Sequence, residues 1–344
     1  MLMNESKYIL VTGGAGYIGS HTVVELIEDG FIPVIIDDFS NSKEKVIQGL
    51  QEITKTDIIF RKVNVCDLSK TRLVFDEFKF FGIIHFAAFK SVGESVNRPL
   101  DYYRNNILGL INILSLAKEY NVDNIVFSSS CSVYGNPKGS RIVSEKTQLQ
   151  DASSPYGNTK RFGEQVLSDF VKSMEKSKVL NLRYFNPIGA HSSALIGELP
   201  IGIPNNLLPI VTQSGTGKIS EIIVYGKDYD TPDGTCIRDY VHVVDVANAH
   251  VKGLRWLMKQ KKSIEEHINI GTGKGTSVLE IINLFEKISN HKLNWSFGPR
   301  RLGDVEEIYA DTSRAFEILG WRSNKTIEQA ISDAWNWELR LKNG

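Results

Sequence analysis

Tyr156 and Lys160, in Tyr156-Gly157-Asn158-Thr159-Lys160, stand one helical turn apart, so a helix here would turn a phenol and an ammonium toward one ligand. Removing a proton from an alcohol calls for a base, and a free phenol, with a pKa of about 10, is mostly protonated near neutrality. A neighbouring positive charge favours the phenolate, so the pair suits general-base chemistry on a hydroxyl group. Ser128, Ser129 and Ser130 end the apolar run before them and offer hydroxyl donors at a ligand-facing strand edge. The plainer alternative for these serines is a polar loop.

A second Tyr-x-x-x-Lys, Tyr134-Gly135-Asn136-Pro137-Lys138, provides a control within the same chain. Pro137 lacks the amide hydrogen that a helix interior needs, so this stretch reads as a turn whose two side chains need not share a face. Tyr156 instead follows Ser154-Pro155, a hydroxyl suited to a helix cap and a proline suited to the first helical position. Phe162, Val166, Leu167 and Phe170 then continue an apolar helical stripe. Tyr156 is the expected base.

Nearer the start, the apolar run Tyr8 to Val11 leads into Thr12-Gly13-Gly14-Ala15-Gly16-Tyr17-Ile18-Gly19, with a helix expected from Ser20 onward. Gly14, Gly16 and Gly19 fit G-x-G-x-x-G, and Gly13, Gly16 and Gly19 fit its wider variant. Either spacing lets backbone N–H groups reach a pyrophosphate at a helix N-terminus. Asp37 follows the next apolar run, Ile32 to Ile36, with Asp38 beside it. A carboxylate there accepts hydrogen bonds from an adenosine ribose and repels a 2′-phosphate, which predicts NAD in preference to NADP, although Lys43 and Lys45 soften the discrimination. A bound nicotinamide ring would add a second positive charge in favour of the Tyr156 phenolate.

The elements that must hold these groups alternate along the chain. Apolar runs at Tyr8 to Thr12, Ile32 to Ile36, Ile58 to Val63, Gly82 to Phe86, Asn124 to Ser128 and Val179 to Phe185 are separated by helical patterns. This predicts an α/β fold with a doubly wound parallel sheet of the Rossmann type. After Tyr184 the texture changes to proline- and glycine-bearing loops and returns to helices after Val243. The expected organisation is a dinucleotide-binding part at 1–184 and a smaller substrate-binding lobe at 185–344, with some segments after 235 returning to the first part.

Composition narrows the partners. With 40 basic and 40 acidic residues in 344, the chain has no electrostatic footprint for nucleic acid or an anionic membrane. Cys66, Cys131 and Cys236 are odd in number and far apart, which speaks for a reducing compartment and against a disulfide framework. The seven histidines have no metal-like spacing, so no metal is expected. A strand expected soon after Lys7 leaves no room for a signal peptide, and no apolar run approaches a membrane span, so a cytoplasmic location is expected.

Together the glycine turn, the serine run and Tyr156 with Lys160 resemble the extended short-chain dehydrogenase/reductase family. The ordered segments Val11 to Gly19, His85 to Val96, Ser128 to Gly135, Leu182 to His191, Ile203 to Pro209, Gly234 to Asp245 and Arg300 to Asp304 resemble its members that epimerise UDP-hexoses at C4. The resemblance implies that UDP-glucose and UDP-galactose are the substrates and NAD is the bound cofactor, with a homodimer as the common assembly. It implies that Ser130 and Tyr156 meet the sugar O4 and that Lys160 holds the nicotinamide ribose and lowers the phenol pKa.

Against NAD the resemblance sets Gly13, Gly16, Tyr17, Ile18, Gly19, Asp37, Asn41, Ser42, Asn64, Val65, Phe86, Ala87, Lys90, Asn105 and Tyr184. On the substrate side it implies Asn186 and Asn206 at the diphosphate or sugar, and Ile223 and Tyr225 at the uridine. Arg238 and Arg301 would grip phosphates, Asp304 the ribose, and Ile308 would gate the sugar 2-substituent. Guanidinium groups suit phosphate oxygens, though Arg238-Asp239 and Arg301 with Asp304 also read as solvated ion pairs.

Three departures stand out. At the gate position Ile308 is neither the small residue that accompanies acceptance of N-acetylhexosamines nor the large aromatic one that accompanies their exclusion, so the resemblance leaves that question open. Asn64 replaces the family's usual aspartate near the adenine, keeping an acceptor but losing charge, and Leu302 replaces a usual glutamate. Related sugar-nucleotide dehydratases, decarboxylases and uronate epimerases share this fold, as would a catalytically silent NAD-binding regulator. Cys131-Ser132 after Ser130, in place of an acid pair, speaks against dehydration, and the intact Ser130, Tyr156 and Lys160 speak against silence.

Overall fold

A computed structural model describes residues 7–137, 141–301 and 304–343 of the chain. Lys138 of the control motif and Leu302 lie outside the described residues. In chain order the first strands are β1 (Tyr8–Thr12), β2 (Ile32–Asp37), β3 (Ile59–Lys62), β4 (Phe80–His85), β5 (Asn124–Ser130), β6 (Ile142–Val143), β7 (Lys178–Tyr184) and β8 (Asn186–Ile188). They are followed by β9 (Ile222–Tyr225), β10 (Ile237–Arg238), β11 (Tyr240–His242), β12 (Ile264–Ile270), β13 (Thr276–Ser277), β14 (Trp295–Gly298) and β15 (Glu307–Ala310).

Seven of these form one parallel sheet in the order β12-β7-β5-β4-β1-β2-β3. Near-continuous apolar strands such as Ile9-Leu10-Val11 bury both faces, which a parallel sheet covered by helices on each side requires. One face packs Ile9, Val11 and Ile35 against the helices Tyr17–Glu28 and Val243–Lys259. The other packs Leu10, Val34 and Ile36 against the helix Gly109–Glu119. Strand order reverses between β1 and β4, so the crevice for a ligand opens at their C-terminal ends. A further apolar cluster joins Ile222 and Val224 of β9 to Val211, Phe285 and Trp335 of the helices Leu207–Gly215, Val278–Ser289 and Ile327–Asn343. Among the described residues, no helix is long and apolar enough to cross a membrane.

Three local outcomes differ from the sequence expectation. The first helix begins at Tyr17 and not at Ser20, because Gly16 takes the extended N-cap conformation and its carbonyl already accepts from Ser20 N at 2.9 Å. Strand β5 runs two residues past its expected end at Ser128, pairing Ser128, Ser129 and Ser130 with Leu182, Arg183 and Tyr184, so the serines stand at the strand edge as expected and not in a loop. Strand β12, Ile264-Glu265-Glu266-His267-Ile268-Asn269-Ile270, was not among the expected runs because its charged residues hide its pattern. Those residues find partners beside the sheet: Asn181 donates to Glu265 at 3.0 Å, and Arg314 pairs with Glu266.

Candidate active site

At the switch point the glycine turn is packed against the end of β4. Gly13 has φ of +68°, and a Cβ there would lie 2.8 Å from the Ala87 nitrogen; one on Gly19 would lie 2.3 Å from the Gly13 carbonyl oxygen. The turn therefore keeps a cradle bare of side chains, and the helix starting at Tyr17 has no side-chain cap over its first N–H groups. Such a concavity of free amides suits a pyrophosphate. Tyr17 folds away from it, donating its hydroxyl to Gly189 O at 2.7 Å, while Ile18 is half-buried beside the first sheet core.

Asp37 closes β2 with its carboxylate held from three sides. Ala15 N donates to Oδ2 at 3.0 Å, and Phe39 N at 2.9 Å and Ser42 Oγ at 2.8 Å donate to Oδ1. Burial pushes its pKa up and these bonds pull it down, with a net rise. Asn41 is exposed at the rim. Asn64 donates from Nδ2 to Asp38 Oδ2 at 2.7 Å and accepts Cys66 N at 2.8 Å, while Val65 is buried behind it. A donor at position 64 is thus matched to the carboxylate of Asp38.

Asn105 lies in the π-helical turn Arg104–Leu108, a local widening that is frequent at functional sites. Its neighbour Asn106 accepts from Phe89 N at 2.8 Å and donates to Phe89 O at 3.0 Å and Thr159 Oγ1 at 2.9 Å. This amide ties the loop carrying Phe86, Ala87 and Lys90 to the helix carrying Tyr156 and Lys160.

That helix, Pro155–Lys172, starts as its sequence reads. Ser154 Oγ accepts Gly157 N at 3.2 Å, and Pro155 sits at the first turn, where its missing N–H costs nothing. Lys160 consequently reaches β5, donating from Nζ to Ser128 O at 2.6 Å, with the Tyr156 ring centroid 5.9 Å from the ammonium. Tyr184 donates to Ser128 Oγ, and the Ser130 hydroxyl lies close enough to Tyr156 to lower its phenol pKa. Burial pushes the Tyr156 phenol up to about 12, opposed by the Ser130 hydroxyl. Burial also draws Lys160 down to about 7, against the raising effect of Glu164. In the protein alone, Lys160 does not offset the burial of the phenol.

The control tyrosine behaves differently. Tyr134 ends a short 3-10 turn, Cys131–Tyr134, before Gly135 at φ +65°. Its buried hydroxyl donates to Asn269 Oδ1 at 2.6 Å and accepts Arg183 Nη1 at 3.2 Å, away from Tyr156 and Ser130.

Across the crevice the other group assembles around Asp304. Arg301 donates to Asp304 Oδ1 at 2.8 Å, Arg238 approaches the same oxygen at 3.8 Å, and the Arg301 guanidinium lies 5.6 Å from the Tyr225 ring centroid. Tyr225 and Ile223 are exposed on β9. Asp239, next to Arg238 in the chain, is buried and accepts Thr272 N at 2.8 Å, Gly273 N at 3.0 Å and Ala310 N at 3.1 Å, while its carbonyl accepts Asn186 N at 3.0 Å. Ile308 pairs in register with Arg238 and is buried with Val133, Tyr134 and Phe185.

Asn206 stands apart from this group and donates to Glu198, as does Lys90. Sequence reasoning did not single out Glu198, nor the buried Glu164 and Arg183 behind the serines. A lone carboxylate in a loop has no motif to announce it. Glu164 did carry a signal, standing one turn beyond Lys160 on the same helix face.

A bare phosphate cradle at a parallel-sheet switch point, with a phenol and lysine at the neighbouring strand end, is the arrangement of the short-chain dehydrogenase/reductase class. Comparison with known proteins gives the narrower result. The family model described as GDP-mannose 4,6 dehydratase matches residues 10–334. A UDP-glucose 4-epimerase of Caenorhabditis elegans is 44% identical, covering 98% of this chain and 99% of its own length. One of Bacillus subtilis (strain 168) is 45% identical, covering 98% of each. The crystal structure of UDP-glucose 4-epimerase from Bifidobacterium longum in complex with NAD+ and UDP superposes with a TM-score of 0.94 at 41% identity, covering 98% of this chain and 100% of that one. The chain belongs to the NAD-dependent epimerase/dehydratase family and, within it, to the UDP-glucose 4-epimerases.

Proposed function

We propose that this chain interconverts UDP-galactose and UDP-glucose by inverting C4 through a 4-keto sugar, with Tyr156 as base and Ser130 and Lys160 holding the reacting groups. The observation that carries the residue roles is the convergence of Ser130, Tyr156 and Lys160 at the C-terminal end of β5, one strand from the switch point. The cofactor is NAD, which fits the bare glycine cradle and the Asp37 acceptor. When bound, it supplies a reversible hydride acceptor for C4 and a positive ring beside the phenol. Tyr156 removes the O4 proton and later returns it, Ser130 hydrogen-bonds the same oxygen, and Lys160 binds the ribose next to it. Arg238 and Arg301 hold the diphosphate, Asp304 the uridine ribose, Tyr225 and Ile223 the uracil, and Asn186 and Asn206 the diphosphate or the sugar. Anchoring through UDP keeps the keto sugar in the cleft while it turns over.

The test is incubation of the NAD-loaded protein with UDP-galactose. The expected product is UDP-glucose, with no added NADH and no net NADH release. Folded, NAD-loaded protein that leaves UDP-galactose unchanged overturns the assignment.

The Asn64 to Asp38 bond supports a reading of that departure as a compensated one. Restoring aspartate with Asn64→Asp sets two carboxylates against each other, so the variant is expected to retain NAD a few-fold less well. Bound NAD per protein after gel filtration measures this, and unchanged or improved retention would show that the 64–38 contact does not matter.

The division near residue 184 belongs to the same proposal, supported by the separate apolar cluster around Phe285 and Trp335, with β12 returning to the large sheet. A cytoplasmic location is supported by the three free thiols Cys66, Cys131 and Cys236. A homodimer is supported by an exposed apolar stripe. Leu100 is 75% and Phe162 51% exposed, Val96, Leu108 and Ile111 are exposed near them, and Phe162 packs on Tyr103 at 6.0 Å so that neighbouring helices share the face. Phe162→Glu is expected to shift the protein from dimer to monomer in light scattering; a dimer that persists at the same concentration removes this face from the interface.

A further inference from the structure

Glu198 Oε1 accepts two hydrogen bonds, from Lys90 Nζ at 2.7 Å and from Asn206 Nδ2 at 2.6 Å. The two donors come from opposite sides of the crevice. Lys90 lies on the loop after β4, with its ammonium 5.8 Å from the centroid of Tyr17, the first residue of the helix after the glycine turn. Asn206 precedes the helix Leu207–Gly215.

Asn206 occupies the N-cap position of that helix, where an asparagine side chain normally accepts from the first turn of backbone N–H groups. Here it makes no such bond and turns to Glu198 instead. Next door, Asn205 Nδ2 donates to Ser91 Oγ at 3.4 Å, so Lys90-Ser91 and Asn205-Asn206 meet as adjacent pairs. Glu198 is fixed from behind, since its carbonyl accepts Trp337 Nε1 at 2.9 Å from the C-terminal helix Ile327–Asn343. Its side chain is 11% exposed against 49% for Lys90, so the carboxylate end of the pair is sheltered while the ammonium stays open to solvent.

We propose that Glu198 is a positioning residue that joins the two ligand sides, aiming Lys90 toward the dinucleotide and Asn206 toward the UDP-sugar through one shared oxygen. This rests on the assignment above of Lys90 to the cofactor and Asn206 to the substrate. With one N–H of the Asn206 amide held by Glu198, its second N–H and its oxygen face the ligand in a set orientation. Lys90 in turn neutralises Glu198, whose uncompensated charge would repel a diphosphate. The two sites are thereby coupled, and coupling between binding sites is reciprocal.

The experiment is a double-mutant cycle read by UDP binding to NAD-loaded protein in a calorimeter, a readout independent of turnover. Glu198→Ala is expected to weaken UDP about tenfold, the usual worth of one charge-assisted hydrogen bond. Lys90→Ala is expected to weaken it about fivefold when Glu198 is present, and by less than about twofold in the Glu198→Ala background. A merely structural role for Glu198 would not abolish the effect of Lys90. Glu198→Leu keeps the bulk but removes the acceptor oxygen, so it too must abolish the effect of Lys90, and it decides the matter if the alanine variant does not fold. A Lys90 effect of equal size in all backgrounds overturns the proposal. Wild-type protein that holds NAD but does not bind UDP overturns the substrate-site assignment beneath it, and the two failures are thus distinguishable.

Discussion

Tyr156→Phe is expected to lose roughly 10²- to 10⁴-fold in kcat, the range for removing a general base, while keeping its bound NAD and its affinity for UDP. The ring remains beside Lys160, so only the proton carrier is lost. Tyr134→Phe should leave kcat within a few-fold and act on stability instead. Its hydroxyl is buried between Asn269 and Arg183, and leaving those groups without a partner costs about 1–3 kcal/mol. Steady-state kinetics and denaturant unfolding of the two variants separate the effects. Equal losses of kcat would mean that the helical tyrosine has no special claim to the chemistry.

Glu164→Gln is expected to be the most destabilising single change near the site, at about 3–5 kcal/mol, because it breaks a buried ion pair and leaves Arg183 uncompensated. Arg183 donates to Glu164 from Nε at 2.9 Å and Nη2 at 2.7 Å, and Ser129 Oγ donates at 2.5 Å. Burial alone would raise the carboxyl pKa, but the Arg183 and His267 interactions outweigh it and hold the group at about 2, below its ordinary 4.5. A depressed carboxyl pKa stabilises the fold fully above the ordinary value, and that stabilisation is lost as pH falls from 4.5 toward 2. The stability gap between wild type and variant should therefore be widest near neutrality and narrow across that acid window. A gap that does not change with pH would show that the pairing is not its source.

Much of the fold was legible because the relevant signals are local. Alternating apolar runs and helical stripes foretold the parallel sheet, and a proline was enough to set Tyr134 apart from Tyr156. Signals failed where partners come from far along the chain. The charges of β12 make sense only beside Asn181 and Arg314, and β5 runs two residues past its expected end because β7 pairs with the serines residue by residue. Asn64 read as a lost charge until Asp38 was found against its amide. The burial that raises the Tyr156 phenol comes from residues distant in sequence and was not legible either. Glu198 draws its donors from residues 90 and 206, which no short window of sequence brings together.

Because β12 is the outermost strand beside β7, the large sheet stays unfinished until residues 185–263 and then Ile264–Ile270 have left the ribosome. During that interval the nascent chain carries β7 as an open edge, a template for pairing with other chains and a natural point for chaperone engagement. A protein truncated before Ile264 would retain the entire glycine turn and the Tyr156 helix in its sequence, yet present that edge permanently. It is therefore a poor basis for a minimal dinucleotide-binding fragment, and one that keeps residues 264–270 should be far less prone to aggregate.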